Sequence, residues 1–366
     1  MWPSIAMKPI PYFIVGVFVW ISSCCSAQTL RQASQQSGLL VGAALNVGYL
    51  SEPAYTATLG REFDMVEPED AMKWLVLRPD QNTFDFSDGD KVVGFAQVHG
   101  MKVRGHNLLW QIHNPDWLTN GRFTPEQLAR LMQEHITKVV THYRRKVFAW
   151  DVVNEAIDEH GQLRHSIWFD RPGIGMADAG AAYIAQAFRW AHAADPHALL
   201  FYNDGSAESV NQHSDAIYAM VKDFLRQGVP IDGVGFQMHI LDLNPDIESI
   251  ARNIERFGEL GIQVQFTEMD VAIPVDEQGN PSHPEDLEKQ AQVYREIADV
   301  CLQNPACTAL QTWGFTDKYS WIGWYTNHTK GDALLFDRRY QRKPAYDALR
   351  AVLESSTKPR RAMKVK

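Results

Sequence analysis

The chain has 366 residues, 45% hydrophobic and 22% charged, which is enough to bury a large core. Its formal net charge of −9 and isoelectric point near 5.8 argue against a nucleic-acid-binding surface, which needs a clustered basic face. The abundant Trp and Tyr residues fit either a cleft that stacks on flat ligands such as sugar rings or ordinary core packing.

Residues 1–27 predict a secretory signal peptide, with Lys8 before an apolar stretch and small residues up to Ala27. The apolar stretch has roughly 12 residues, against about 20 in a membrane-spanning helix. Three outcomes stay open: export with cleavage after Ala27, a bacterial lipoprotein with Cys24 as its lipidated first residue, and an uncleaved anchor. The protein is therefore expected to be secreted, periplasmic or on the cell surface. A lipid on Cys24 is the membrane contact only in the lipoprotein outcome.

Eight apolar runs follow, and each predicts a strand. They cover residues 40–46, 65–70, 103–110, 147–155, 199–204, 233–239, 264–271 and 309–315. Stretches with helical periodicity lie between them, among others at residues 124–143, 179–194, 214–228, 247–260 and 284–303. Thr124 and Pro125 place a capping residue and a proline at a helix start.

This strand–helix alternation predicts an α/β fold with a parallel sheet. Eight strands fit a closed (β/α)8 TIM barrel better than an open sheet, since the first run lacks a Gly-rich phosphate loop. Residues 28–353 are thus expected to form a single barrel domain, followed by a basic, frayed tail at residues 354–366. No nucleic-acid partner is expected, and the protein is expected to be a monomer.

Polar residues end seven of the eight apolar runs. They are Glu69, Asp70, His106, Trp110, Asn154, Glu155, Asn203, Asp204, Gln237, His239, Glu268, Asp270 and Trp313. The C-terminal strand ends of a parallel barrel share one face, where active sites lie, so these residues are expected to converge. Paired carboxylates at two strand ends, here Glu155 and Glu268, are what acid/base-plus-nucleophile cleavage of a glycoside requires.

The order and spacing of the motifs resemble those of the family 10 glycoside hydrolases, which are (β/α)8 endo-β-1,4-xylanases, over about residues 38–353. The motifs include Met72-Lys73-Trp74, Arg104 to Trp110, Trp150 to Glu155, Asn203-Asp204, Gly235 to His239, Thr267 to Asp270, Thr312-Trp313-Gly314 and Asp317 to Ile322. The resemblance implies cleavage of internal bonds in xylan or xylo-oligosaccharides with retention of anomeric configuration. It implies no cofactor and no metal.

By this resemblance Glu268 is the nucleophile and Glu155 the general acid/base. Retaining cleavage needs two carboxyl groups roughly 5–5.5 Å apart, one ionised and one protonated. His239 is expected to donate a hydrogen bond to Glu268. Asp270 follows Glu268 by two positions on the same strand face, so it is expected to orient His239 or favour its charged form. A structural Asp–His pair is the alternative.

Two amides complete the expected catalytic support. Asn154 is expected to bind the sugar 2-hydroxyl, which requires a distorted strand end because successive strand residues point to opposite faces. Gln237 is expected to orient the nucleophile side of the site. Structural roles for both amides remain open.

The resemblance also implies a set of sugar contacts on the glycone side. They are Glu69, Asp70, Lys73, His106, Trp110, Trp313 and Trp321. Core burial remains the alternative for the last two. Trp74 follows Lys73 on a helical turn and is expected in the core.

The chain departs from the family pattern at three places. Asp70 stands where Asn is common, Gln111 and His113 stand where His and Gln are common, and Gly205 replaces a common Tyr. These changes put substrate preference in doubt and leave Glu155 and Glu268 untouched.

Cys301 and Cys307 predict a local disulfide in an exported protein. A two-Cys metal site is the weaker alternative because no His or Cys pair nearby completes it.

Other functions remain open beside the xylanase interpretation. One is a different retaining β-glycosidase, such as a β-glucanase or an exo-acting enzyme, because barrels host many specificities. Another is a non-catalytic polysaccharide-binding surface protein. A third is a metal enzyme that uses His106, His113 and His239, although no spaced ligand motif supports it.

Overall fold

A computed structural model of the chain describes residue 1, residues 28–170, residue 174 and residues 176–356. The predicted signal peptide, with Cys24, and the tail from residue 357 onward lie outside the described residues, apart from Met1.

Eight parallel strands close into a barrel, as the sequence predicted. They are β1 (Leu40–Leu45), β2 (Met65–Pro68), β3 (Lys102–His106), β4 (Ala149–Asn154), β5 (Leu199–Asp204), β6 (Gly233–Phe236), β7 (Gln263–Val271) and β8 (Cys307–Thr312). Each strand pairs with the next one along the chain, and β8 also pairs with β1, so the eight strands form a closed ring.

Helices connect the strands and cover the outside of the barrel. The longer ones are Pro53–Glu62, Ser87–His99, Pro125–His142, Ala182–Ala194, Gln212–Arg226, Ile247–Glu259, Asp286–Gln303 and Pro344–Ser355. Short helices cover Val47–Tyr49, Trp74–Leu77, Asp116–Thr119, Ala177–Ala179 and Ile322–Tyr325, and short strands cover His239–Ile240, Ile273–Pro274 and Lys330–Gly331. The last long helix continues past the domain boundary predicted at residue 353.

The segment before β1 contains the helix Leu30–Ser37. Thr29 begins it with a capping box, in which its hydroxyl accepts from the Gln32 backbone N–H and the Gln32 side chain accepts from the Thr29 N–H. Leu30 is fully buried, and its backbone N–H donates to Glu62 and to the Tyr346 hydroxyl. The helix is therefore fixed to the first and last long helices of the barrel.

The strands are buried along almost their whole length, because side chains fill the barrel inside and helices cover it outside. Several predicted runs extend beyond their strands, notably at residues 103–110 and 65–70. Their last residues leave the sheet at the barrel rim and carry side chains of the site described below. Trp74 is buried, as predicted, and stacks on His135.

A disulfide bond joins Cys301, near the end of helix Asp286–Gln303, to Cys307 at the start of β8. It ties that helix directly to the strand that follows it. Among the described residues, none of the helices combines the length and apolar character needed to cross a membrane.

Candidate active site

The strand end that carries Glu155 is distorted, as the adjacency of Asn154 and Glu155 predicted. The pairing of β4 with β5 shifts register between Asp151 and Val153, and Glu155 itself has a φ of 52°. Left-handed backbone at a non-glycine residue is costly and persists only where the surroundings fix it. The distortion brings the Asn154 and Glu155 side chains together, with Asn154 Nδ2 donating to Glu155 Oε1 at 3.2 Å.

Two further donors reach the Glu155 carboxyl group from neighbouring parts of the rim. Trp110 Nε1 donates to Oε2 at 3.0 Å, and Gln237 Nε2 donates to Oε1 at 2.8 Å. With Asn154, these groups come from the segment after β3, the end of β4 and the segment after β6. Their donors fix the orientation of the carboxyl group, while the residue remains partly exposed to the cleft.

Glu268 lies on β7 with only 5% of its surface exposed, and its carboxylate also accepts hydrogen bonds from two directions. Asn203 Nδ2 donates to Oε1 at 2.8 Å, and His239 Nε2 donates to Oε2 at 3.3 Å. Burial raises the pKa of Glu268, but the His239 hydrogen bond and the nearby His106 and His239 charges outweigh it. The pKa of Glu268 is therefore below its usual value, and the site favours the ionised carboxylate.

His239 lies between two carboxylates. Its Nδ1 donates to Asp270 Oδ2 at 3.1 Å while Nε2 faces Glu268. Burial lowers the pKa of His239, but the charge of Asp270 and the hydrogen bonds to both carboxylates raise it well above its usual value. The geometry fits the predicted role of Asp270 in favouring a charged His239. Trp321 Nε1 donates to the same Asp270 oxygen at 2.8 Å and fixes it from the other side.

A pair of asparagines connects the two glutamates. Asn203 Nδ2 donates to Asn154 Oδ1 at 2.9 Å as well as to Glu268, and Asn154 in turn donates to Glu155. The Thr267 hydroxyl fixes the Asn203 amide by donating to its Oδ1 at 2.7 Å. Glu155 and Glu268 thus belong to one hydrogen-bond network on one face of the barrel.

Gln237 does not have the partner that the sequence predicted. It was expected to orient the nucleophile side, but its side chain donates to Glu155, and only its backbone carbonyl accepts from the Glu268 N–H. The carboxamide lies directly against Gly205, where a Cβ would be 2.5 Å from Gln237 Oε1.

The predicted sugar-contact residues line the rim around β2, β3 and β8. Lys73 Nζ lies 5.0 Å from the Trp110 ring centroid and 5.7 Å from that of Trp313, within cation–π range. Asp70, whose side chain is 51% exposed, forms an ion pair with Lys73 at 3.0 Å. The neutral Asn of the family pattern is thus replaced by a charge that fixes the lysine.

Glu69 and His106 are held by residues that the sequence did not point to. Asn46, directly after β1, donates to Glu69 Oε2 at 3.0 Å, and burial raises the pKa of Glu69 to about 7. His106 is buried, with Nδ1 at 3.0 Å from Asp151 Oδ2. Its ring meets the Trp313 ring edge to face at 5.4 Å.

The barrel floor below Glu268 contains a charged cluster that sequence reasoning missed. Arg104 donates to both oxygens of the Asp151 carboxylate, and Glu67 Oε1 lies 3.3 Å from His106 Nδ1. Burial and the Asp151 charge raise the pKa of Glu67 well above its usual value. The available signal was a charged residue inside each of three apolar runs.

The three histidines of the metal-enzyme hypothesis do not converge. His113 stacks on Trp110, His106 is bound to Asp151, and His239 lies between its two carboxylates. In the described parts of the chain, the close group with ligand-type side chains is Glu67, His106 and Glu268. It contains just one of these histidines.

Comparison with known proteins decides the family. The family model described as "Glycosyl hydrolase family 10" matches residues 29–352. The chain belongs to glycosyl hydrolase family 10. Among the relatives, endo-1,4-beta-xylanase B of Thermotoga neapolitana is 40% identical over 97% of this chain and 100% of its own. The beta-1,4-xylanase of Dictyoglomus thermophilum is 38% identical over 84% of this chain and 86% of its own.

Solved structures agree with this family assignment. Xylanase 10B from Thermotoga maritima superposes with a TM-score of 0.84 at 41% identity, covering 89% of this chain and 98% of its own. Xylanase 10B from Thermotoga petrophila, solved in complex with xylobiose, has a TM-score of 0.85 at 40% identity, covering 90% and 98% of the two chains. The family and the (β/α)8 barrel predicted from sequence are both confirmed.

Proposed function

We propose that the protein is an endo-1,4-β-xylanase that hydrolyses internal β-1,4-xylosidic bonds of xylan with retention of anomeric configuration. Family membership supports the reaction class, and the relatives named as xylanases support the substrate. The xylobiose complex of the Thermotoga petrophila enzyme supports a xylo-oligosaccharide in the cleft. One observation carries the proposal. Glu155 and Glu268 belong to one hydrogen-bond network, but Glu268 is buried with a lowered pKa whereas Glu155 is partly exposed at the cleft.

Glu268 has the surroundings of a nucleophile. It is buried, accepts hydrogen bonds from Asn203 and His239, and has a pKa below its usual value. In the first step its oxygen attacks the anomeric carbon as the glycosidic C–O bond breaks, giving a covalent glycosyl–enzyme.

Glu155 has the surroundings of an acid/base. It is partly exposed at the cleft, and donors from Trp110 and Gln237 fix its direction. In the first step it gives its proton to the departing sugar oxygen. In the second it takes a proton from water, whose oxygen attacks the anomeric carbon and displaces Glu268.

The surrounding residues support binding of a xylose ring between the two glutamates. Lys73 and His106 offer hydrogen bonds to ring hydroxyls, while the Trp110, Trp313 and Trp321 rings offer apolar faces. Asn154 lies beside Glu155, where the predicted contact to the sugar 2-hydroxyl strengthens as positive charge develops on the ring. Asp70 fixes Lys73 and adds a negative charge at the exposed edge.

Product analysis tests this function. Purified protein is incubated with linear β-1,4-xylan, arabinose- and glucuronate-substituted xylans, mixed-linkage β-glucan and cellulose, and products are sized over time. Early xylo-oligosaccharides of mixed length, first formed as the β-anomer in NMR spectra, are expected. Monomeric product from the start would support an exo-acting enzyme, and turnover of glucan alone would support a β-glucanase.

Glu268→Gln protein is the matched control for binding without turnover. It keeps the size of the side chain and removes the nucleophilic charge, so it should bind xylan and release no product. If wild type and variant both bind xylan and neither cleaves it, the polysaccharide-binding alternative is correct.

We propose in addition that the protein is exported, on the basis of the signal-peptide pattern in residues 1–27, and that it acts as a monomer. The mass of the mature N-terminus, measured from native membranes and culture fluid, distinguishes cleavage after Ala27 from lipidation at Cys24. Light scattering of the purified protein tests the monomer.

A further inference from the structure

The hydroxyl group of Tyr202, in the interior of β5, is fully used in hydrogen bonds. It accepts from the backbone N–H groups of Ala156 at 3.0 Å and Ile157 at 3.1 Å. It donates to Asp204 Oδ2 at 2.6 Å. A tyrosine hydroxyl has one donor and two acceptor positions, so no capacity remains.

The two N–H groups belong to the residues that directly follow Glu155. Strand β4 ends at Asn154, and the Glu155 N–H makes a last backbone bond to the Asn203 carbonyl at 2.9 Å. The chain then turns through the left-handed conformation of Glu155. Such a conformation is unfavourable for a residue with a Cβ and needs contacts on both sides to persist. Asn203 supplies the contact before the turn, and the Tyr202 hydroxyl supplies the contact after it.

Asp204 and His213 fix the Tyr202 hydroxyl in turn. Asp204 Oδ2 accepts from Tyr202 and lies 3.2 Å from His213 Nε2, while Oδ1 accepts from the Gly205 N–H at 3.0 Å. All three side chains are buried, and burial raises the pKa of Asp204 to about 6. The chain of contacts runs from the helix Gln212–Arg226 to the turn after Glu155.

We propose that Tyr202, held by Asp204 and His213, is a positioning residue that fixes the direction of the Glu155 carboxyl group through the backbone of Ala156 and Ile157. The inference rests on the proposed acid/base role of Glu155. Without the hydroxyl, two buried N–H groups lose their acceptor and the turn can relax away from its strained conformation. The carboxyl group then no longer points at the leaving oxygen, although its chemistry is unchanged.

A leaving-group series on Tyr202→Phe tests this role. The value of kcat/KM is measured for aryl β-xylobiosides whose phenols range from dinitrophenol to unsubstituted phenol, because it reports only the first chemical step. Poor leaving groups need protonation and good ones do not. We expect a loss of about tenfold or more for phenyl xylobioside and little change for the dinitrophenyl compound, since a general acid contributes about 10²–10⁴-fold.

Tyr143→Phe is the matched control. Tyr143 is another fully buried tyrosine, and its hydroxyl has no hydrogen-bond partner among the described residues. Its removal should leave the whole series unchanged. Thermal melting of both variants shows whether they fold. If Tyr202→Phe does not fold, Asp204→Asn is tested instead, because it removes the charge that holds the hydroxyl. It is expected to lower kcat/KM for the same poor leaving groups, by a smaller factor.

Two results of the leaving-group series would overturn the proposed role of Tyr202. An equal loss for all leaving groups in a folded Tyr202→Phe protein would make Tyr202 merely structural, and an unchanged series would overturn the proposal outright. Failure of the proposed function looks different, because wild-type protein would then cleave none of these xylobiosides.

Discussion

Asn203 donates a hydrogen bond from Nδ2 to Glu268 Oε1 over 2.8 Å. The same amide group also reaches Asn154, and the Thr267 hydroxyl fixes its orientation. A hydrogen bond to a carboxylate stabilises the ionised form, so this contact helps to keep Glu268 charged in a buried position.

We therefore predict that Asn203→Ala raises the pKa of Glu268. A charge-assisted hydrogen bond contributes about 1.5–3 kcal/mol, which corresponds to about 1–2 pH units. The acid limb of the kcat/KM profile should move to higher pH by about that amount. Xylobioside hydrolysis measured across pH checks this. Thr267→Val, which removes only the group that orients the amide, should move the limb less, and an unmoved limb in Asn203→Ala would contradict the assignment.

The covalent intermediate is predicted on Glu268. A 2-fluoro xylobioside with a good leaving group forms the glycosyl–enzyme but slows its hydrolysis, because fluorine destabilises the oxocarbenium-like transition state. Peptide mass spectrometry should find one added disaccharide on the peptide that contains Glu268. Glu268→Gln protein, treated identically, should remain unlabelled. A label on Glu155 would reverse the two roles.

Replacing Glu155 by Ala should slow hydrolysis of substrates with poor leaving groups much more than hydrolysis of those with good leaving groups. Loss of the general acid is expected to slow xylan hydrolysis by about 10²–10⁴-fold. The first step on dinitrophenyl xylobioside should be nearly normal, and added azide should accelerate turnover because it replaces water without needing a base. Burst kinetics with and without azide check this. Equal loss on both substrates would exclude Glu155 as the acid.

The sequence was sufficient to predict the barrel and the site's location because both depend on repeated local patterns. Apolar runs alternate with helical stretches, and polar residues end the runs, so parallel topology brings Glu155 and Glu268 to one rim. The distorted end of β4 was also predictable, because Asn154 and Glu155 cannot share a face of a regular strand.

Contacts between the side chains of different strands could not be predicted from the sequence. Arg104 and Asp151 lie on neighbouring strands, but nothing local to either shows that they pair. Gln237 was assigned to the wrong carboxyl group for the same reason. A long side chain at a strand end reaches either neighbour, and here its Nε2 donates to Glu155.

The raised pKa of Glu69 predicts that this residue makes a pH-dependent contribution to the stability of the fold. Burial raises its pKa in the folded protein from 4.5 to about 7. Between these values folding takes up a proton, so the contribution is fully present below about pH 4.5 and is lost as pH rises through about 7. As pH rises across this window, the free energy of unfolding of Glu69→Gln should increase relative to that of wild type by about 3 kcal/mol. Urea unfolding at several pH values checks this, with the exposed Glu248→Gln as a flat control. A difference that does not vary with pH would contradict the shift.

The disulfide should make a modest contribution to stability. The bond between Cys301 and Cys307 spans a sequence separation of only 6 residues, so it removes little freedom from the unfolded chain. Chain-entropy arguments give about 2 kcal/mol for a loop of this length. The double variant Cys301→Ser/Cys307→Ser should therefore unfold at lower denaturant concentration with an unchanged slope, and xylan hydrolysis by the folded protein should be unaffected. Reducing agent should shift the unfolding midpoint of wild type to that of the variant and leave the variant's midpoint unchanged. Equal midpoints for oxidised wild type and variant would show that the bond does not stabilise the fold.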